Sequence, residues 1–263
     1  MTAAADAGAD RFARYPSLAG RVAFVSGGAT GLGAEFVTQL AAQGVEVAFT
    51  DIDTEHGEAL VREVAAAGLP EPWFAPCDVR DVPALQRVIG EAAAARGPIT
   101  VLVNNAANDT RHPYTELDAE AFDDRIAVNL RHHLFAIQAV APMMREQGGG
   151  SIINLGSISA HADFIGMVGY ITAKAGIEGL TRTMARELGP DKIRVNCLIP
   201  GWVLTERQLR EHITEADLET IRQKQCLAEP VVPADLARML LWLASDDSAA
   251  CTGQQWVVDG GWL

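Results

Sequence analysis

RVAFVSGGATGLG, residues 21–33, decides how this chain is read. Arg21–Ser26 is a short run of valines and an aromatic, and the glycines behind it close a strand. Leu32–Gln43 then carries apolar residues at helical spacing until Gly44 stops it. In a strand, glycine turn and helix of this kind, backbone amides can approach an anion that the positive end of the helix stabilises. A glycine-rich turn often does no more than join two elements, so the rest of the chain has to support the reading.

The same alternation continues outward. Val45–Thr50 reads as a strand with a helix to about Ala67, Trp73–Pro76 precedes a helix over Val82–Arg96, and Ile99–Val103 precedes one over about Ala119–Glu146. Ser151–Leu155 follows the Gly148–Gly150 turn, and a helix spans about Val168–Leu188. Ile193–Leu198 is the next strand, and a helix near Ala234–Ala244 leads to Gln255–Val258. Nearly every strand residue is apolar, as strands covered on both faces require. The expected class is α/β: a doubly wound Rossmann fold with a seven-stranded parallel sheet, helices on both faces, and ligands at the carboxyl ends of the strands. Residues 1 to about 15 have little to bury and read as a flexible tail, which leaves 16–263 as a single catalytic domain. The segment 201–232 far exceeds the usual connection of about 2–6 residues. Its Glu, Arg and Leu content predicts short helices of its own, forming a substrate lid after the sixth strand.

Composition narrows the function classes. The 263 residues are 49% hydrophobic and 21% charged, an ordinary globular mixture that excludes disorder and a membrane bundle. Lys plus Arg number 21 against 34 Asp plus Glu, a net charge of −13 that repels phosphate backbones, anionic lipid heads and acidic carrier proteins. Nucleic acid and membrane partners are therefore not expected. Cys77, Cys197, Cys226 and Cys251 are widely spaced and form no zinc pattern, so four reduced thiols, no metal and a cytoplasmic location are expected. The N-terminus lacks a continuous apolar run, and no stretch of about 18 apolar residues occurs.

Asp51 ends the second strand at the distance from Gly33 where a carboxylate accepts both hydroxyls of an adenosine ribose. A 2′-phosphate there meets like charge, and Asp53 adds to it. No Arg or Lys stands in Gly27–Gly33 or between Thr50 and Val61, so NAD is expected rather than NADP. Asp78 and Val79 follow the third strand and can bound the adenine, although Asp is equally common as a helix cap. Tyr170 and Lys174 lie one helical turn apart and project from one face. An ammonium beside a phenol favours phenolate, and an oxidised nicotinamide adds positive charge, so the tyrosine pKa of about 10 is expected to fall toward neutrality. A Tyr and Lys so spaced also occur on solvated faces, so the pair needs company. Ser157, just beyond the fifth strand, offers a hydroxyl for the same substrate oxygen, and Asn129 offers a mid-helix amide able to hold a water.

Taken together, Ser26–Gly33 (SGGATGLG), Asp51, Cys77-Asp78-Val79, Asn104-Asn105-Ala106-Ala107, Asn129, Ser157, Tyr170-Ile171-Thr172-Ala173-Lys174 and Pro200-Gly201 resemble the short-chain dehydrogenase/reductases over nearly the whole chain. The resemblance implies a catalytic tetrad of Asn129, Ser157, Tyr170 and Lys174. Tyr170 is then the acid/base, Ser157 orients substrate, Lys174 binds the nicotinamide ribose and lowers the Tyr170 pKa, and Asn129 supports a proton relay. It implies cofactor contacts from Ser26, Gly27, Thr30, Gly31, Leu32 and Gly33, and from Asp51, Asp78 and Val79. Further cofactor contacts come from Asn105, Ala106, Ala107, Tyr170, Lys174, Pro200, Gly201, Val203 and Thr205. Two departures are small: Ser26 replaces the usual Thr, and Ala107 the usual Gly. Such proteins are usually tetramers, and the apolar end Trp256–Leu263 is suited to a homotetramer.

The residues expected above the nicotinamide are Asn108, Asp109, Arg111 and His112, then Ser159, His161 and Asp163, then Trp202 and Arg207. This polar set with one broad aromatic suits a hydroxyl-rich ligand better than a steroid. Substrate contacts are therefore expected from Asn108, Arg111, Ser157, Ser159, His161, Tyr170, Trp202 and Arg207. Tyr15–Leu18, Asn108-Asp109 with Arg111-His112, Val128–His132, Gly156–Ser159 with His161, and Ala244–Asp247 through Cys251–Gly253 resemble bacterial NAD-dependent aldose 1-dehydrogenases of the D-xylose type. That resemblance implies oxidation of a cyclic sugar at its anomeric carbon to a lactone.

Three alternatives stand beside it. A ketodeoxy sugar acid oxidised at a secondary hydroxyl needs a cation such as Arg111 or Arg207 for its carboxylate. A reductase of carrier-bound acyl chains needs NADPH and a basic docking surface, which Asp51 and the net charge of −13 oppose. A non-catalytic NAD sensor has no need to keep Ser157, Tyr170 and Lys174 together. His132 and His133 are adjacent on a helix and point about 100° apart, so at most one reaches a site. His56 and His212 read as surface residues.

Overall fold

The computed structural model describes residues 12–205 and 214–263. Its strands are β1 (Val22–Ser26), β2 (Glu46–Asp51), β3 (Trp73–Pro76), β4 (Ile99–Asn104), β5 (Gly150–Leu155), β6 (Ile193–Pro200) and β7 (Gln255–Val258). They form one seven-stranded sheet in the order β3-β2-β1-β4-β5-β6-β7, every pairing parallel. The strand order reverses between β1 and β4, and a crevice opens at their carboxyl ends.

Helices cover both faces. They are α1 (Gly31–Ala42), α2 (Thr54–Ala66), α3 (Val82–Arg96), α4 (Ala119–Ile126), α5 (His132–Glu146), α6 (Val168–Leu188), α7 (Glu215–Lys224) and α8 (Pro233–Ala244). On one face Phe36 and Leu40 of α1 and Leu236 and Leu240 of α8 pack against Val25, Val103 and Ile153. On the other, Leu85 and Ile89 of α3 and Ile137 and Met144 of α5 pack against Phe24, Leu102 and Ile152. All five residues of β1 are buried, so successive side chains feed opposite layers, each worth about 1.5–3 kcal/mol when a large apolar group is removed from water.

Short polar side chains set the helix starts. Asp53 accepts from the His56 amide, Asp81 from Ala84 and Asp118 from Ala121. Within the long 201–232 segment α7 starts with a reciprocal cap between Thr214 and Asp217. Thr30, which precedes α1, makes no side-chain cap.

One expected element is interrupted. The helix over 119–146 contains a π-helical turn, Ala127–Arg131, between α4 and α5. The Asn129 amide group donates to the Arg125 carbonyl at 2.9 Å, taking the place of the backbone bond that a wider turn gives up. The four cysteines are unpaired thiols, Cys77 and Cys197 buried and Cys226 exposed. Among the described residues no helix is long and apolar enough to cross a membrane, and no cluster of three His, Cys, Asp or Glu could hold a metal ion.

Candidate active site

A crevice of about 570 Å³ lies over the carboxyl ends of the central strands. At one end is the glycine turn. Gly27 and Gly31 have φ of 67° and 57°, a region that L side chains rarely adopt. A Cβ at Gly33 would stand 1.9 Å from the Gly27 carbonyl oxygen, so only hydrogen fits there. Thr30, Gly31, Leu32 and Gly33 line the crevice at the uncapped start of α1, where first-turn amides have no helical acceptor.

Ser26 lies beneath this turn and not in the crevice wall. Its hydroxyl accepts from the Asn105 and Ala106 amides at 3.1 and 3.2 Å. The Asn105 side chain donates back to the Ser26 and Gly27 carbonyls at 3.1 and 2.7 Å. The glycine turn and the loop after β4 are thereby tied together, and Asn105, Ala106 and Ala107 line the crevice.

Asp51, at the end of β2, also lines it, with one oxygen accepting from the Ala29 amide at 3.0 Å. Asp78 and Val79 line the same end, but the Asp78 carboxylate is gripped by Arg80 through Nε and Nη2, the latter at 2.6 Å. Arg80 reaches Asp124 with Nη1 at 2.7 Å, and these two carboxylates hold its pKa above the usual value. Sequence reading missed Arg80, although its place two residues after Asp78 was a signal.

Tyr170 and Lys174 stand one turn apart on α6 and share the crevice floor with Ser157. Burial pushes the Tyr170 pKa up to about 12, the nearby Ser157 hydroxyl pulls it down, and Asp109 raises it further. Lys174 is buried, donates from Nζ to the Leu155 carbonyl at 2.7 Å, and is lowered by burial to about 8. The expected fall of the tyrosine pKa is therefore not a property of the protein alone. Desolvation is the largest cause, and the Lys174 ammonium gives its hydrogen bond to a carbonyl and not to the phenol.

Asn129 is fully buried and does not line the crevice. Its Oδ1 accepts from the Asn108 amide at 2.8 Å, and Nδ2 donates to the carbonyls of Asn108 and Arg125 at 3.1 and 2.9 Å. Both amide protons are thus used by the protein, and Asn129 fixes the loop that carries Asn108. The expected water partner has no amide proton left to bind.

Pro200, Gly201, Trp202, Val203 and Thr205 form the wall beyond β6. Asn108, Arg111, Ser157 and Ser159, expected from the sequence to contact substrate, also line the crevice with Asp109, joined by Phe164 and Met167, which sequence reading missed. Apart from their closeness to Tyr170, nothing in the local pattern marks these two. Phe164, Trp202 and Trp262 pack together with centroids 6.0–6.1 Å apart.

His161 is not in the crevice wall. Its Nε2 meets Glu178 Oε1 at 2.6 Å, and Glu178 also accepts from Gln255. Asp163 is likewise outside the wall, and His112 borders a neighbouring groove. Arg207 and His212 lie outside the described residues, and His56 is exposed beside Asp53. His132 and His133 are both fully buried, with ring centroids 4.4 Å apart. Burial lowers His132 to about 3 and His133 well below its ordinary value, so both are neutral packing groups.

A family model described as Enoyl-(Acyl carrier protein) reductase matches residues 27–263. D-xylose 1-dehydrogenase of Caulobacter vibrioides is 46% identical over 248 residues, which cover 94% of this chain and 98% of that protein. "Probable galactose dehydrogenase GalD" of Rhizobium meliloti is 46% identical over 248 residues, 94% of this chain and 97% of that one. Among solved structures, a 7α-hydroxysteroid dehydrogenase complexed with NADH and 7-oxo glycochenodeoxycholic acid matches with a TM-score of 0.89 at 30% identity, covering 94% of this chain and 96% of that one. With sheet order, crevice and similarity agreeing over almost its full length, the chain belongs to the short-chain dehydrogenase/reductase family of oxidoreductases.

Proposed function

We propose that this protein is an NAD-dependent aldose dehydrogenase that oxidises a cyclic sugar at its anomeric carbon to a lactone. The observation that carries the reading is the meeting of Ser157, Tyr170 and Lys174 on the floor of a crevice whose other end holds Asp51 and the glycine turn. The 46% identity to D-xylose 1-dehydrogenase over nearly the whole chain supports the sugar.

The residues present fit a dinucleotide. The turn has no room for a Cβ at Gly33, and the amides at the uncapped start of α1 suit a pyrophosphate. Asp51 suits the adenosine ribose hydroxyls and opposes a 2′-phosphate. Arg80, at the same end, is already neutralised by Asp78 and Asp124, which supports NAD. When bound, the oxidised nicotinamide supplies a hydride acceptor and a positive charge near the phenol.

In this proposal Tyr170, once ionised, removes the proton of the anomeric hydroxyl, and Ser157 donates a hydrogen bond to the same oxygen. Lys174 keeps positive charge near the phenol, with ammonium protons beyond the one given to Leu155 left for the cofactor ribose. Asn129 holds the Asn108 loop beside the sugar.

A sugar acid is the second reading, favoured by Arg111 in the crevice wall. Asp109, whose charge acts on both Tyr170 and Lys174, opposes an anionic substrate. A panel of aldopentoses, aldohexoses and sugar acids with NAD or NADP, followed by absorbance of the reduced dinucleotide, tests the proposal. Turnover of neutral aldoses with NAD is expected. No turnover of any neutral aldose, or a preference for NADP, overturns it.

Residues 16–263 are read here as one catalytic domain acting in the cytoplasm as a homotetramer. Exposed Val257 and Leu263 support self-association at the β7 edge. A monomer mass by light scattering would refute it.

A further inference from the structure

We propose that Ser159 is a positioning residue that turns Ser157 into an obligate hydrogen-bond donor. Ser157 precedes the short 3₁₀ turn Ile158–Ala160, and its Oγ accepts from the Ser159 amide at 3.1 Å. The Ser159 hydroxyl, on a residue only 5% exposed, donates to the same oxygen at 2.9 Å. A hydroxyl oxygen has two acceptor sites and one proton. Both acceptor sites of Ser157 are therefore filled by one neighbour, and what it retains is its proton, for the crevice side where Tyr170 stands.

A hydroxyl that already accepts two hydrogen bonds is a stronger donor than a bare one. The substrate oxygen gains negative charge as its proton leaves, so a stronger donor helps the transition state more than the ground state. Before substrate arrives that same proton is available to the phenol, and Ser157 lowers the Tyr170 pKa, so strengthening it makes the phenol of the substrate-free protein easier to ionise. Ser159 thus acts through Ser157, a role separate from the substrate contact expected from the sequence. The first effect resides in kcat and the second in the pH dependence of kcat/KM, and neither requires Ser159 to touch the sugar.

The inference rests on the reading of Tyr170 as the base, and it is tested with Ser159→Ala on whichever alcohol the wild-type protein oxidises fastest. An error over the sugar then does not decide the outcome. The expected result is a kcat about tenfold lower, the size of one lost hydrogen bond, with KM and NADH binding by fluorescence nearly unchanged. The limb of the kcat/KM profile that rises with pH is expected to move to higher pH. In a Ser157→Ala background, Ser159→Ala is expected to cost nothing further. An unchanged or raised kcat, a loss confined to KM, or an equal additional loss in the Ser157→Ala background overturns the proposal.

Discussion

The Lys174 ammonium lies 5.4 Å from the centre of the Tyr170 ring and spends a hydrogen bond on the Leu155 carbonyl. On the proposed mechanism, replacing Tyr170 by Phe removes the proton acceptor and leaves the ammonium in place. Turnover is expected to fall about 10²–10⁴-fold, with NADH binding retained in a fluorescence titration. Activity within a few-fold of wild type would show that another group takes the proton.

On the proposed reading, Asp51 selects NAD over NADP. With Ala in its place the like charge facing a 2′-phosphate is gone, and the ratio of kcat/KM for NAD over NADP is expected to fall at least about tenfold, the scale of one charge in a recognition site. An unchanged ratio would move the discrimination to Arg80 and its two carboxylates.

Gly33 tolerates no side chain, because a Cβ there would sit 1.9 Å from a backbone oxygen. Gly33→Ala forces the glycine turn and the start of α1 apart. NADH binding is expected to be lost at concentrations that saturate the wild-type protein, as isothermal titration would show, while far-ultraviolet circular dichroism stays close to native.

The buried histidines give stability a pH dependence. His132 is lowered to about 3 and His133 well below its ordinary value, whereas both titrate near the usual value of about 6.5 once unfolded. Below that pH the unfolded chain binds protons that the folded chain refuses, so stability falls as pH drops from about 6.5 toward 3. The slope approaches roughly 1.4 kcal/mol per pH unit for each histidine. Urea melts at pH 7, 6 and 5 on wild type and on His132→Gln with His133→Gln should show a flatter decline in the double variant. Parallel declines would assign acid sensitivity to carboxylates.

The elements were legible because each strand is a short, mostly apolar run and each helix a periodic one, so their ends fall within a residue or two of the expected positions. Tyr170 and Lys174 were legible because one turn of α6 fixes their relation. What the sequence could not disclose depends on partners from elsewhere in the chain. Local spacing does not show that His161 turns to Glu178, or that Arg80 closes over Asp78 and Asp124. Phe164 and Met167 reach the wall through the path of a loop that carries no periodic pattern. The π turn at Asn129 is equally hidden, because it arises from one side chain satisfying the Asn108 loop and the Arg125 carbonyl together.

The pairing of Ser26 with Asn104 also bears on how the molecule is made. Strand β1 waits for a neighbour that emerges from the ribosome three βα units later, and such distant contacts form slowly. Until then its edge offers unpaired amides and carbonyls to other nascent chains. A growing polypeptide that ends short of Asn104 has the glycine turn but no opposite wall, so in that interval a chaperone can shelter the half-built sheet and the dinucleotide has nothing to grip.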